Sequence, residues 1–319
     1  MKIAVIDDYQ DAFRRQPGFA GLAGHEVTVF TDTVKDPAAL GDRLADAEAV
    51  VLTQQRSALP RAALDRMPAL RMISQTGRNA AHIDLAACAE RGIIVSAGGG
   101  GGPEATAELC WALILASLRH IPEEVGRLRQ GLWQHTLGTG LKGRTLGVYA
   151  YGRIGSLVAR VGQAFGMQVL CWGRAASLGR AQQDGFAVAA SREAFFAAAD
   201  VLTLHIPLNP ATRGIVTAAD LSGMKPDALL VNTSRAPIIA PGALEAALRA
   251  GRPGRAAIDV FDSEPVLGAS DPLIGLPNTL CTPHLGYVEE GAYAAIFGVA
   301  IEQLLAFAAG KPINLVPSA

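Results

Sequence analysis

Thr145-Leu-Gly-Val-Tyr-Ala-Tyr-Gly-Arg-Ile-Gly-Ser-Leu-Val-Ala159 is the stretch on which the fold turns. It reads as a strand running into a helix. Gly152 and Gly155 fit the second and third glycines of G-x-G-x-x-G, and Ala150 stands where the first would be. A glycine at 152 lets a diphosphate approach the backbone, and one at 155 lets the helix pack closely on the strand. The start of the helix offers free N–H groups and partial positive charge. Arg153 and Ile154 lie within that first turn, and the Arg153 side chain adds a direct phosphate contact. The bland alternative is a tight strand–helix turn with no ligand, but its placement between strand and helix favours a dinucleotide site.

The pattern continues on both sides. Downstream, strand-like runs at 145–151, 167–172, 201–206, 228–232, 256–260 and 279–281 alternate with helical stretches, a series of six that suits a doubly wound sheet. Upstream, runs at 2–6, 26–30, 49–53, 71–75 and 93–96 alternate with helix-like 37–46, 60–66 and 84–91. Strands alternating with helices imply parallel sheets covered on both faces. A run of five glycines, 98–102, separates the two series and reads as a flexible hinge before a long apolar helix at 104–120. A last helix-like stretch covers 289–309. The chain is thus α/β, with two doubly wound domains.

Length and composition agree. At roughly 100–200 residues per domain, 319 residues suggest two domains. With 50% hydrophobic and 18% charged residues the chain is not disordered, and a net charge of −1 argues against nucleic acid as a partner drawn by bulk charge. Cys88, Cys110, Cys171 and Cys281 are scattered and in apolar surroundings, so they read as buried free thiols in a reducing compartment. No metal site is expected. The longest apolar runs, 109–118 and 291–301, are too short to span a bilayer and no signal peptide is evident, so a soluble cytoplasmic protein with no membrane partner is expected.

The end of the second strand of the later series speaks to the cofactor. A NAD site usually places an acid about 20 residues past the glycine turn, on the ribose 2′-hydroxyl. Here the sequence is Cys171-Trp-Gly-Arg174, without an acid. Gly173 leaves room for a 2′-phosphate and Arg174 pairs with it, so NADP(H) is favoured over NAD(H), with NAD(H) the alternative.

Three later residues follow strand candidates: Arg235 in Val231-Asn-Thr-Ser-Arg-Ala, Glu264 in Asp259-Val-Phe-Asp-Ser-Glu-Pro, and His284 in Cys281-Thr-Pro-His-Leu-Gly. These segments, with the glycine turn, resemble the D-isomer-specific 2-hydroxyacid dehydrogenase family over nearly the whole chain, most closely its glyoxylate/hydroxypyruvate reductases. The chemistry explains the trio. An arginine holds the carboxylate of a 2-oxo acid and polarises the ketone. Hydride delivered to the carbonyl carbon leaves an alkoxide, which a histidine protonates. A glutamate orients that histidine and favours its charged form. The resemblance assigns these roles to Arg235, His284 and Glu264.

The resemblance implies more. His205 and Pro207 wall the adenosine side of the cofactor, while Thr106, Thr233 and Asp259 face it near the nicotinamide. Backbone N–H groups around Gly77, Arg78 and Asn79 hold the substrate carboxylate, although Asn79 replaces a glycine of the family loop. The family pattern implies a flavodoxin-like substrate domain, 1–98 and 287–319, and a Rossmann cofactor domain, 99–286. It also implies a homodimer, with Trp111 and Trp133 as candidate contacts. The expected substrate is a small 2-oxo acid reduced to a D-2-hydroxy acid. The alternatives are an NAD-dependent D-3-phosphoglycerate-type dehydrogenase and a dinucleotide-sensing, corepressor-like binding protein.

Overall fold

The computed structural model describes residues 1–317. The chain divides into two compact units: Met1–Gly102 together with the stretch from Val288 onward, and Pro103–Tyr287.

In the first unit, β1 (Lys2–Ile6), β2 (Glu26–Val29), β3 (Ala49–Leu52), β4 (Met72–Thr76) and β5 (Ile94–Gly98) form one parallel sheet in the order β2-β1-β3-β4-β5. This is the flavodoxin-like order. Strands β3 and β4 are buried along their whole length, as expected for a sheet covered on both faces. One face packs on Leu40, Leu44, Leu64 and Cys88. Against β4 and β5 lies the helix Glu290–Ala308, which buries Tyr293, Phe297, Ala300 and Leu304. Among the described residues it is the one helix long and apolar enough to cross a membrane, although the apolar run read from the sequence was shorter. Its buried face, and a 2.7 Å hydrogen bond from Ser74 Oγ to buried Gln303, make it a core helix of this unit.

The glycine run is more than a free tether. A Cβ on Gly99 would come within 3.3 Å of Val299, and one on Gly101 within 2.8 Å of Ala292. Gly98 ends β5, and its carbonyl accepts from Gly77 N at 2.8 Å. These glycines let the backbone press against the helix Glu290–Ala308, and the boundary between the two units falls at the end of the run, after Gly102.

The second unit holds β6 (Thr145–Tyr149), β7 (Gln168–Trp172), β8 (Ala187–Val188), β9 (Val201–Leu204), β10 (Leu229–Asn232), β11 (Arg255–Ile258) and β12 (Thr279–Cys281). All are parallel, in the order β12-β11-β10-β9-β6-β7-β8. Counted within the unit this is the Rossmann order extended by one strand, and the order reverses between β6 and β9. The two-residue β8 has too little pattern to be read from sequence, so the expected six strands become seven. The long helix also ends earlier than expected, at Leu118; His120 takes a left-handed φ of 54° and a second helix, Ile121–Arg129, begins.

Phe195 and Phe196 fill one face of this sheet and Trp111, Val158 and Cys171 the other. Truncating either phenylalanine to alanine would cost about 3–5 kcal/mol. Trp111 is core: its ring packs on Phe165 and its indole N–H donates to Val158 O. Cys88, Cys110 and Cys171 are free and buried, whereas Cys281 is only partly buried, a departure from the uniform burial expected.

Candidate active site

The carboxyl ends of one sheet carry nearly all the candidate residues, because every βα connection of a parallel sheet leaves its strand on the same side. The turn after β6 comes first. Helix Arg153–Ala164 begins at Gly152, which has no side chain to cap it, so its first amides are open. A Cβ on Gly152 would meet nothing within 4 Å, whereas one on Gly155 would lie 2.4 Å from Ala150 O. Gly152 thus faces open space and Gly155 seats helix on strand. Ala150, in place of a glycine, is held at φ +74°. Arg153 is exposed and Ile154 half-buried.

After β7, Gly173 has φ +154° and a Cβ there would sit 3.4 Å from both Ala150 Cα and Ser177 Oγ. Exposed Arg174 starts the helix Ala175–Gln183, which has no side-chain cap. Ser177, which sequence reading passed over, accepts from Tyr151 N at 2.7 Å and so braces the glycine turn. After β9, burial lowers the pKa of His205 to about 4, which keeps the ring neutral. Its Nε2 is buried without a partner, as is the hydroxyl of Thr233 after β10. Pro207 is exposed.

The proton-transfer candidates follow β10, β11 and β12. His284 Nδ1 lies 2.6 Å from Glu264 Oε2, and Glu264 Oε1 accepts from Phe261 N at 2.8 Å. The carboxylate is therefore fixed at both oxygens, and the imidazole is oriented by donating to it. Burial raises the Glu264 pKa, but the hydrogen bond and charge of His284, the Phe261 N–H and the positive charge of Arg235 outweigh it; the carboxyl titrates below its ordinary range. Arg235 is exposed and anchors Nη1 on Ser234 O at 2.7 Å.

His284 itself has φ +52°, a left-handed conformation that costs a non-glycine residue about 1–3 kcal/mol. Asp259 holds it there. Its Oδ1 accepts from Thr282 Oγ1 and Leu285 N, both at 2.7 Å, and its Oδ2 from Gly286 N at 2.9 Å. Burial raises the Asp259 carboxyl above its ordinary range in spite of these donors. Thr106 Oγ1 closes the loop by donating to Gly286 O at 2.7 Å. Thr282 and Tyr287, whose ring centroid is 5.3 Å from that of His284, were not singled out in the sequence. Nothing in their local pattern distinguishes them.

Gly77, Arg78 and Asn79 belong to the first unit, after β4. Gly77 has φ +95°, Arg78 is exposed, and Asn79 Oδ1 accepts from Ala81 N at 2.9 Å. The asparagine replacing the family's glycine thus builds an Asx turn, which keeps the loop tight without a glycine.

A dinucleotide fits the second unit on three grounds: the open cradle at Gly152, the uncapped helix behind it, and the orphaned polar atoms of His205 and Thr233. A Rossmann sheet carrying that cradle and a histidine–carboxylate pair defines a dinucleotide-dependent oxidoreductase. Comparison with known proteins makes this specific. Residues 111–286 match the family model described as "D-isomer specific 2-hydroxyacid dehydrogenase, NAD binding domain". A glyoxylate reductase of Aeropyrum pernix is 38% identical over 79% of this chain and 78% of its own. A hydroxypyruvate reductase of Blautia hydrogenotrophica is 28% identical over 99% of each chain. A crystal structure of a phosphoglycerate oxidoreductase from Vibrio cholerae superposes with a TM-score of 0.93 at 48% identity, over 97% of this chain and 99% of that one. This chain belongs to the D-isomer specific 2-hydroxyacid dehydrogenase family, and it is a nicotinamide-dependent enzyme of that family.

Proposed function

We propose that the enzyme reduces a small 2-oxo acid of the glyoxylate/hydroxypyruvate type to a D-2-hydroxy acid, with NADPH favoured. The observation that carries this reading is the 2.6 Å His284–Glu264 pair with Arg235 beside it. Arg235 binds the substrate carboxylate and polarises the ketone. His284 gives a proton to the oxygen of the reduced substrate, and takes it back in the reverse direction. Glu264 orients the ring and favours its charged form. The bound nicotinamide supplies the hydride chemistry. Gly152, Arg153, Ile154 and Gly155 would hold its diphosphate, His205, Pro207, Thr233, Asp259 and Thr106 would line it, and Gly173 with Arg174 would take the 2′-phosphate. The exposed Arg174 guanidinium supports that assignment, because among the described residues no carboxylate lies within ion-pair distance of it. The unit Pro103–Tyr287 is the proposed cofactor domain. In the loop Gly77–Asn79 the backbone N–H groups of Arg78 and Asn79 would read the substrate's acid group, since Gly77 N already donates to Gly98 O.

A second reading, oxidation of a phosphorylated 2-hydroxy acid with NAD, is favoured by the 48% identity to the Vibrio protein. Steady-state assays separate the two. They follow nicotinamide absorbance with glyoxylate, hydroxypyruvate and pyruvate, each with NADPH and NADH, and with D-3-phosphoglycerate and each oxidised cofactor. Turnover confined to D-3-phosphoglycerate with NAD would establish the second reading. His284→Ala should lower turnover by roughly 10²–10⁴-fold with cofactor binding nearly intact; a near-normal rate removes it from proton transfer.

A cytoplasmic homodimer completes the proposal. Ile121, Val125, Leu128, Leu132, Trp133 and Leu137 are exposed on one continuous segment, an apolar surface of the kind that pairs with a second copy. The buried free thiols fit a reducing compartment.

A further inference from the structure

The unit Pro103–Tyr287 has a second concave site, at the opposite end of the strands that lead to His284. A cavity of about 430 Å³ lies between the end of helix Glu104–Leu118 and the amino ends of β11 and β12, with Ser117, His120, Pro122, Arg255, Asn278 and Thr279 in its lining. Arg255 opens β11 and Thr279 opens β12. Asp259 is four residues beyond Arg255, so at ~3.3 Å per residue the cavity and the Asp259 carboxylate are about 13 Å apart along the strand. This is not the cofactor site.

Its lining is set up for negative charge. Arg255 Nη1 donates to Ser117 O at 3.2 Å and lies 2.9 and 3.2 Å from the two ring nitrogens of His120. Among the described residues no carboxylate is within ion-pair distance of Arg255, and its other N–H groups have no protein acceptor. A guanidinium presents five N–H donors in a rigid fork that matches a phosphate or carboxylate. The helix Ile121–Arg129 starts at the cavity with its N-cap, His120, in a left-handed conformation and without a side-chain cap; Pro122 in its first turn has no N–H, so the amides of Ile121 and Glu123 are its open donors. The Ser117 hydroxyl beside it is buried and has no partner. Glu123 is the acid of the lining, and its carboxylate reaches His120 at 3.6 Å rather than Arg255.

We propose that this cavity binds a small molecule through an oxyanion, a phosphate or a carboxylate. Arg255 grips that group, and His120 and the helix amides complete its shell. The volume falls within the ~300–1,000 Å³ usual for small-molecule sites. The site is separate from the reaction centre.

Calorimetric titration of the whole protein with inorganic phosphate, and separately with citrate, tests this. Saturating NAD and NADP are present throughout, so that the turn at Gly152 is filled. One of the two anions should bind saturably at one site per chain. Arg255→Gln should weaken it roughly tenfold to a hundredfold, as loss of charged hydrogen bonds does. Ala116→Leu, which adds bulk to the cavity wall and leaves its charge alone, should also weaken it. Thermal unfolding of each variant separates lost binding from lost folding. Phosphate binding alone assigns a phosphorylated ligand, and citrate binding alone a polycarboxylate. No binding by the native protein, or native affinity in both variants, overturns the proposal.

Discussion

Replacing Glu264 with glutamine tests the proton-transfer reading most directly. Glutamine keeps the size and the hydrogen-bonding reach of the side chain and removes only its charge. In the native protein the carboxylate is 2.6 Å from His284 Nδ1 and is held at its other oxygen by Phe261 N. Two unit charges ~4 Å apart attract by about 1 kcal/mol in water and about 4 kcal/mol at an effective dielectric of 20. The His284 and Glu264 side chains are 22% and 33% exposed, which screens the pair and rules out the upper limit. The expected loss is therefore about 1.5–3 kcal/mol of support for the charged ring, or roughly tenfold to a hundredfold in reduction rate near neutral pH. Initial rates with the best 2-oxo acid would be measured from pH 5 to pH 9, with cofactor affinity determined separately by fluorescence. A variant within about twofold of the native rate across that range, with unchanged cofactor affinity, refutes the assignment: such a pair would be structural, since proton transfer from a positioned acid is typically worth ~10²–10⁴-fold.

Other perturbations probe the remaining parts. Arg174→Ala should raise the Michaelis constant for NADPH much more than that for NADH, and equal effects would undo the 2′-phosphate assignment. Asp259→Asn leaves one loop amide facing an N–H₂ group in place of an acceptor, so denaturant unfolding should show a loss of about 1–3 kcal/mol. The raised pKa of Asp259 means that the folded chain holds that proton more tightly than the unfolded chain. Its contribution is full below the unfolded pKa and is lost as pH rises through the folded one, so Asp259→Asn should flatten this part of the stability–pH curve. Ala150→Gly should stabilise the protein by about 1 kcal/mol, because the left-handed conformation at φ +74° costs alanine more than the chain entropy glycine adds; a lower melting temperature would show that Ala150 is not strained.

Much of the fold was legible because parallel sheets buried on both faces leave long unbroken apolar runs. Strands β3, β6, β9 and β10 announce themselves in this way, and their observed ends differ from the expected ones by one or two residues. What escaped was whatever lacks pattern. Ala187–Val188 is too short to show any period, yet it closes one edge of the second sheet. His120 looked like the last turn of an apolar helix, but its left-handed backbone ends that helix and starts another. The glycine run looked flexible because glycine usually is. Only the position of the helix Glu290–Ala308, some 190 residues further on in the chain, shows that the backbone at Gly99 and Gly101 needs the missing side chains in order to pack.

The candidate site divides along a similar line. Arg235, Glu264 and His284 could be picked out because each is the right chemical type just past a strand. Their geometry could not, since it depends on Asp259, which looked like one more cofactor-facing residue. In the structure a buried carboxylate gathers two amides and a hydroxyl from the four residues Thr282–Leu285 and the glycine that follows. Three donors onto one carboxylate tie these residues to the end of β11 and hold the histidine in a left-handed conformation that costs about 1–3 kcal/mol. Held in this way, His284 sits at φ +52°, from where its ring reaches Glu264. The strain is thus local and its compensation sits at the end of the neighbouring strand. On this reasoning Asp259 is a positioning residue whatever it does toward the cofactor: Asp259→Asn should lower kcat in step with the loss of the His284–Glu264 contact, even where the cofactor remains bound at native affinity.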